Sequence, residues 1–113
     1  MDIADLPTSA LRKRRRKLVR DLPPLEFVLR GSLTETYKRC GRPNCHCANG
    51  PGHGLKRYLV ISQPSGRPRR DYVPNALCPQ VLELIDNFHR LRTALNEICS
   101  INAELLRRRE EIE

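Results

Sequence analysis

The sequence is poor in the large apolar side chains from which protein cores are built. Its 113 residues include no tryptophan, two phenylalanines and three tyrosines, and 39% of all residues are hydrophobic. We therefore expect a thin core that needs a staple, as small domains often do. No apolar run approaches the about 18 residues that a membrane helix requires, and the N-terminus lacks the basic start and apolar stretch of a secretory signal. These absences predict a cytoplasmic protein with no membrane contact.

Acidic residues are scarce outside the last third of the chain. The whole sequence has 21 Lys and Arg against 13 Asp and Glu, a net charge of +8. Basic and acidic residues number seven and two in residues 1–20, nine and four in residues 21–74, and five and seven in residues 75–113. The first two thirds thus indicate a surface that attracts polyanions, and the last third indicates a separate role.

Three of the five cysteines stand within residues 40–47, in a segment rich in glycine and proline and poor in apolar residues. Thiolates and imidazoles are the usual zinc ligands, and turns allow them to point at one ion. The predicted ligands of a structural Zn²⁺ are Cys40, Cys45, Cys47 and His53. Four protein ligands leave no open position at the metal, so we expect this site to be architectural and not catalytic.

Two alternatives to this ligand set remain open. His46 stands between two of the cysteines and can replace His53 as the fourth ligand. An iron–sulfur cluster that recruits Cys78 as a fourth thiolate is the alternative to zinc. If zinc is bound, Cys78 and Cys99 are expected to be small buried apolar residues of the C-terminal helix.

Six consecutive cations, from Arg12 to Lys17, precede a pair of prolines. Because like charges repel one another, we expect residues 1–24 to form a basic, flexible arm that is disordered or transiently helical until phosphates neutralise it. An arm that only keeps the chain in solution is the alternative. A second group of cations falls at the turn of a predicted hairpin, where a projecting loop can reach phosphates or a groove. The residues predicted to contact nucleic acid are Arg12, Lys13, Arg14, Arg15, Arg16, Lys17, Arg20, Arg67, Arg69 and Arg70.

β-branched and aromatic residues between residues 25 and 74 predict a small antiparallel sheet. The expected strands cover residues 32–39, 57–62 and 69–73, and the segment from Pro64 to Pro68 supplies the turn between the last two. The predicted zinc site would close one end of this sheet. The predicted fold class is α+β, with a zinc-stapled β-domain over residues 25–74 and one long helix within residues 75–113.

Neither glycine nor proline follows Pro79, and apolar residues recur at alternating steps of four and three. This heptad pattern predicts a helix over residues 79–109 with a coiled-coil seam. We expect its N-terminal half to cover the sheet and its C-terminal half to pair with a second chain, with Asn102 facing its counterpart across a two-stranded seam. The predicted interface residues are Leu91, Leu95, Ile98, Asn102 and Leu105. A helix that packs only on its own sheet is the alternative.

Several separated motifs together resemble a known family. They are Arg30-Gly31-Ser32-Leu33, the Cys-Gly-x-Pro-x-Cys-x-Cys segment that begins at Cys40, His53-Gly54, and Tyr72-Val73-Pro74. In this order they resemble a small uncharacterised bacterial family, a domain of unknown function, in which a long helix follows. The resemblance covers about residues 29–106, leaves the basic arm outside, and agrees with the cysteine and His53 ligands position by position. It departs from the family pattern just after His53-Gly54, and it implies no activity.

The sequence contains neither a nucleophile paired with a base nor a phosphate-binding loop, so we expect no enzyme. It favours a dimeric, zinc-containing DNA-binding protein. The resemblance to the bacterial family implies a nucleoid location and a role as accessory factor to a mobile-element or recombination system. One alternative is an adaptor that docks a larger recombinase- or nuclease-type protein through its apolar helix. The other is an RNA-binding protein, ranked below DNA because readers of single strands typically stack bases on more aromatic residues than this chain has.

Overall fold

The computed structural model describes residues 2–38 and 53–113. In chain order it contains a short 3₁₀ helix (Ile3–Asp5), helix α1 (Thr8–Arg20), strands β1 (Ser32–Lys38), β2 (His53–Ile61) and β3 (Arg69–Val73), a second 3₁₀ helix (Asn75–Leu77) and helix α2 (Cys78–Arg107). The chain divides into two compact units. Met1–Val28 and Asp86–Glu113 form the helical unit, and Leu29–Ile85 forms the sheet unit. The α+β class is confirmed, whereas the zinc staple and the coiled-coil pairing stay predictions.

The three strands form one antiparallel sheet in the order β1-β2-β3. All three predicted strands are present, and β3 has the predicted bounds. Strand β2 begins at His53 instead of residue 57, because its first residues pair with the end of β1. The Cα partners at that end of the ladder are Lys38 and His53.

The core of the sheet unit joins two strands to the start of α2. Leu59 and Val73 from the sheet are buried together with Cys78 and Ile85 from the helix. The prediction that the beginning of the long helix covers the sheet is therefore confirmed. Apolar burial on one sheet face is what an antiparallel sheet with one covered side requires.

Gly31, immediately before β1, allows two backbone segments to approach each other closely. Its φ is +141°, a conformation that other residues rarely adopt. A Cβ atom at this position would lie 2.8 Å from the carbonyl oxygen of Val60. Only glycine therefore fits here without displacing the neighbouring strand.

The helical unit is built from the two ends of the chain. Leu11 of α1 and Ile101 and Leu105 of α2 are each 0% exposed and pack together. Phe27 lies in the segment that follows α1. Its carbonyl oxygen accepts a hydrogen bond of 2.9 Å from the side-chain amide of Asn87 in α2. This bond holds the segment after α1 within the helical unit.

Residues 8–20 form helix α1, which corrects the expectation of a flexible arm over residues 1–24. Arginine and lysine are good helix formers, and the last turn carries Lys17 and Arg20, where cations interact favourably with the helix dipole. A helix of 13 residues is marginal on its own. The burial of Leu11 supplies the stabilisation that the run of like charges lacks.

Helix α2 ends at Arg107, close to the predicted end at residue 109. Arg109 has a φ of 59°, and the Glu110 N–H donates to the carbonyl oxygen of Leu105 over 3.0 Å. Such a left-handed residue with a returning hydrogen bond turns the chain away from the helix axis. None of the helices in residues 2–38 and 53–113 is both long and apolar enough to cross a membrane.

Candidate nucleic-acid interface

Helix α1 distributes its seven cations around the helix, and Leu11 defines the face that points into the helical unit. With 100° between successive residues, four cations spaced at i, i+3, i+4 and i+7 fall on the opposite face. We call this set the outward stripe: Lys13, Arg16, Lys17 and Arg20. The other three cations, Arg12, Arg14 and Arg15, contact α2 or the segment that follows it.

Arg14 forms a two-point ion pair with Glu97 of α2. Its Nε lies 2.8 Å from Oε1 and its Nη2 lies 3.1 Å from Oε2. The hydrogen bonds and the charge of Glu97 raise the pKa of Arg14 above its ordinary value. This fork-shaped geometry is specific to arginine and fixes the orientation of the side chain.

Arg15 and Arg12 reach the end of the chain. Arg15 Nη1 donates to Asn102 Oδ1 over 2.6 Å and also to the carbonyl oxygen of Ile112. Arg12 Nη2 donates to the carbonyl oxygen of Glu111 over 2.7 Å. These two arginines, which the sequence assigned to nucleic acid, therefore bond to α2 and the C-terminal segment of the same chain.

The outward stripe remains exposed to solvent. Arg20 Nε lies 3.8 Å from Asp21 Oδ1, and both side chains are more than half exposed. Such a surface ion pair contributes little to the free energy of folding. Lys13, Arg16 and Lys17 form no ion pair or side-chain hydrogen bond with any other residue that the structure describes. The four side chains span about 10 Å along the helix axis and line a groove together with Ala10. The stripe is therefore a compact array of positive charge, and the described part of the chain places no negative charge of comparable size beside it.

The junction between the start of α1 and the end of α2 contains residues that the sequence analysis did not single out. Glu104 accepts hydrogen bonds from Arg107 and Arg108, which lower the pKa of its carboxyl group to about 2. Arg108 also donates to the Thr8 hydroxyl over 3.3 Å and to the Ala4 carbonyl oxygen over 3.2 Å. The i, i+4 spacing of Glu104 and Arg108 was the available signal, although it does not reveal the contact with α1.

In the sheet unit, two of the three hairpin arginines have partners. Arg69 Nε lies 2.9 Å from Asp71 Oδ2, and the Arg70 guanidinium lies 4.9 Å from the ring centroid of Tyr58. Arg67 is exposed in the turn between β2 and β3, beside Gly66 with its φ of +96°. The predicted basic hairpin is thus present, and Arg67 is the one of its three arginines without a described partner.

The predicted zinc ligands fall largely outside the described residues. Cys40, Cys45 and Cys47 lie outside them, and of the four ligands only the backbone of His53 is described, at the first position of β2. Among the side chains that the structure describes, in residues 2–37 and 55–113, no three His, Cys, Asp or Glu come together as a metal site. The zinc site therefore stays a prediction.

The two cysteines of α2 have different surroundings. Cys78 is buried in the core of the sheet unit, and its thiol lies 3.5 Å from the carbonyl oxygen of Pro74. This agrees with the expectation of a small buried apolar residue. Cys99 is exposed, which corrects the same expectation for that position.

The predicted oligomer interface is partly occupied within the chain itself. Leu105 is buried against Leu11, and Asn102 accepts a hydrogen bond from Arg15, so α1 takes the place that the prediction gave to a second chain. Leu91 and Ile98 are half-buried, and Leu95 remains 47% exposed. Of the predicted interface residues only Leu105 is buried, and a heptad pattern does not show which element covers a helix.

A family model described as Domain of unknown function (DUF6788) matches residues 8–83. Because this is more than half of the chain, the protein belongs to that family. The matched range begins at the first residue of α1, so it includes the basic residues that the resemblance left outside the shared region. No curated protein and no solved structure matches the chain.

Proposed function

We propose that this protein is a non-enzymatic DNA-binding protein whose helix α1 contacts the phosphates of a duplex through the outward stripe. The observation that carries this proposal is the face on which Lys13, Arg16, Lys17 and Arg20 lie together, exposed and opposite the buried Leu11. A folded helix presents these cations in one orientation, so binding requires less ordering than a flexible arm would. Neutralised phosphates release counterions, which provides the free energy of such binding.

The number of phosphates that one α1 helix can contact is smaller than the sequence alone implied. Three of the seven cations of α1 bond within the chain, which leaves four for phosphates. Each contact with duplex DNA contributes about 0.9 to the slope of log K against log salt concentration, so α1 would contribute about 3.6.

The proposal includes a structural Zn²⁺ held by Cys40, Cys45, Cys47 and His53. What supports it in the described residues is the strand register, in which His53 is the Cα partner of Lys38. Cys40 follows Lys38 by two residues, so His53 lies beside the strand end that leads into the cysteine segment. Such a site would staple the sheet unit, whose core is small.

The proposal also includes a homodimer that acts in the cytoplasm on the nucleoid, as an accessory factor in a mobile-element or recombination system. A dimer has to use the part of α2 that α1 leaves uncovered. Leu95 and Leu106 are 47% and 56% exposed and are available for such pairing. The same two residues favour the alternative function, an adaptor that docks a larger recombinase- or nuclease-type protein.

The proposal is tested by the salt dependence of binding to a short DNA duplex. Replacing Lys13, Arg16, Lys17 and Arg20 with glutamine should lower the magnitude of the log–log slope by about 3.6, and replacing Arg16 and Arg20 alone by about 1.8. Fluorescence anisotropy at several salt concentrations measures both slopes.

A matched control is the pair Arg92→Gln and Arg109→Gln, two exposed arginines of the helical unit outside α1. It removes the same charge as the Arg16 and Arg20 pair and should leave the slope nearly unchanged. Equal changes for the two pairs would contradict the proposal, because binding would then depend only on net charge. Tighter binding to a hairpin RNA at equal salt would favour the RNA alternative, and absence of DNA binding by the unaltered protein would favour the adaptor.

A further inference from the structure

The sheet has a second face, opposite the core. Residues alternate between the two faces along each strand, so Leu33, Leu59 and Val73 mark the core face and their neighbours in the strands lie on the other. The strand register aligns these neighbours across the sheet. We call this surface the open face; the residues that matter here are Thr34, Thr36, Lys56, Tyr58, Arg70 and Tyr72.

Two tyrosines stand side by side at the centre of the open face. Tyr58 of β2 and Tyr72 of β3 are Cα partners, and their ring centroids are 5.9 Å apart at an interplanar angle of 67°. Tyr72 is 52% exposed. The Arg70 guanidinium lies 4.9 Å from the Tyr58 ring centroid, and Lys56 Nζ lies 5.5 Å from that of Tyr72. Aromatic and cationic side chains therefore alternate across β2 and β3.

The charges of the sheet are separated by face. The described strands contain two acidic residues, Glu35 and Asp71, and the alternation places both on the core face. Each of them has an arginine partner on that same face: Arg57 Nε lies 3.1 Å from Glu35 Oε1, and Arg69 Nε lies 2.9 Å from Asp71 Oδ2. The cations of the open face consequently have no acidic neighbour among the described residues of their own face. A partly exposed aromatic pair, with two cations that have no acidic partner among the described residues of their face, is complementary to a polyanion that carries unpaired aromatic rings.

We propose that the open face binds single-stranded DNA, with bases stacked on Tyr58 and Tyr72 and phosphates contacted by Lys56 and Arg70. Bases of a duplex already stack on each other and are not accessible to such a platform, whereas unpaired bases stack on exposed aromatic side chains. The planar guanidinium of Arg70 extends the stacking surface.

DNA is chosen because the threonine hydroxyls of the same face offer no free donor that would select a ribose. Thr34 Oγ1 donates to the Tyr58 carbonyl oxygen over 3.3 Å, and Thr36 Oγ1 donates to that of Lys56 over 3.5 Å. Both threonine hydrogens are thus directed at the sheet, so neither hydroxyl donates to a ribose 2′-hydroxyl. The groups of the face that remain for a ligand are the tyrosine rings and the two cations. Bases and phosphates bind to these groups, and neither contact requires a 2′-hydroxyl group. This site is in the sheet unit and does not depend on the outward stripe of α1, which is proposed to bind duplex DNA.

The test uses the intrinsic fluorescence of the full chain. The protein has no tryptophan and three tyrosines, so its emission reports tyrosine directly. A short oligothymidylate is titrated into the variant in which the four cations of the outward stripe are replaced by glutamine, so that α1 no longer contributes. We expect saturable quenching, about tenfold weaker binding for Tyr72→Leu, and a log–log salt slope lowered by about 1.4 for Lys56→Gln with Arg70→Gln.

Tyr37→Leu is the matched control. Tyr37 is 55% exposed, as much as Tyr72, but the alternation of β1 places it on the core face. It should lower the emission without changing the affinity. The variant with Lys56→Gln and Arg70→Gln keeps both tyrosine rings and changes only exposed side chains. It therefore tests the site even if Tyr72→Leu disturbs the sheet.

Three results would overturn the inference: quenching without loss of affinity in both site variants, an equal loss in Tyr37→Leu, or binding of oligouridylate but not of oligothymidylate. Duplex binding is measured separately with the outward stripe intact. If the unaltered protein does not bind duplex DNA, the proposed function is refuted, and the inference about the open face is still decided by the oligothymidylate titration.

Discussion

Each of the two units is stabilised by its own internal contacts, and these contacts join residues at very different separations in the sequence. In the sheet unit, consecutive strands pair with each other and the start of α2 covers them. In the helical unit, Leu11 packs against Ile101 and Leu105, and Arg108 bonds to Thr8, a residue 100 positions earlier. The helical unit therefore forms only when nearly the whole chain closes on itself, at an entropic cost that the sheet unit does not share.

The units also use arginine differently. In the helical unit, Arg14 and Arg15 hold α1 against α2 and leave the outward stripe uncompensated. In the sheet unit, arginines on the core face neutralise the acids there, and the cations of the open face lie over tyrosine rings. In both units the ion pairs leave one surface with excess positive charge, which is the surface proposed to bind DNA.

Leu11→Ala should have the largest effect and should act on one unit. Truncation of this fully buried side chain costs about 2–5 kcal/mol, because transfer free energy is lost and a cavity remains. Hydrogen exchange of α1 and of the second part of α2 should accelerate strongly, while β2 amides change less. Val19→Ala, at a position 55% exposed in the same unit, should change stability by less than about 0.5 kcal/mol. Equal acceleration in both units would show that they unfold as one.

Gly31→Ala gives the corresponding perturbation of the sheet unit. The new Cβ would lie 2.8 Å from the Val60 carbonyl oxygen at a φ of +141°, so we expect a loss of about 3 kcal/mol. Gly66→Ala is the control, because its φ of +96° is also strained but nothing lies within 4 Å of the added atom. It should cost about 1 kcal/mol. Chemical denaturation compares the two, and equal losses would mean that the approach of Val60 contributes nothing.

The smallest expected effect is a pH dependence confined to the helical unit. Hydrogen bonds from Arg107 and Arg108 hold the pKa of Glu104 at about 2, below its ordinary value of 4.5. The carboxylate therefore contributes stability that is fully present above pH 4.5 and is lost as the pH falls through about 2. Glu104→Gln should lower the melting temperature near neutral pH, and the difference from the unaltered protein should shrink towards pH 2. Glu110→Gln, which changes an exposed carboxylate, serves as control; a difference for Glu104→Gln that stays constant with pH would contradict the assignment.

The sheet was predictable because its signals are local. β-branched and aromatic residues mark the strands, and the Pro64 to Pro68 segment marks the turn between β2 and β3. The early start of β2 was missed, because His53 and Gly54 carry no strand signal and enter the strand by pairing with the end of β1. The pairing of Tyr58 with Tyr72 follows from the register, which the sequence pattern does not specify to the residue.

The interface on α1 was predictable in composition but not in geometry. The run of cations from Arg12 to Lys17 indicates attraction to polyanions, and mutual repulsion argued for a flexible arm. The structure shows a helix instead, because Leu11 finds its apolar partners at the other end of the chain. No local rule identifies partners at that separation, so Arg14 and Arg15 could not be distinguished from Arg16 and Lys17.

The sequence by itself determined the charge of the protein, the α+β class, the three strands and the long C-terminal helix, because composition and periodicity act through neighbouring residues. Only the tertiary structure decided what packs on the second part of α2, which cations of α1 stay exposed, and which tyrosines share a face. These features depend on contacts between residues far apart in the chain, where the free energy of burial selects the partner and local propensity does not.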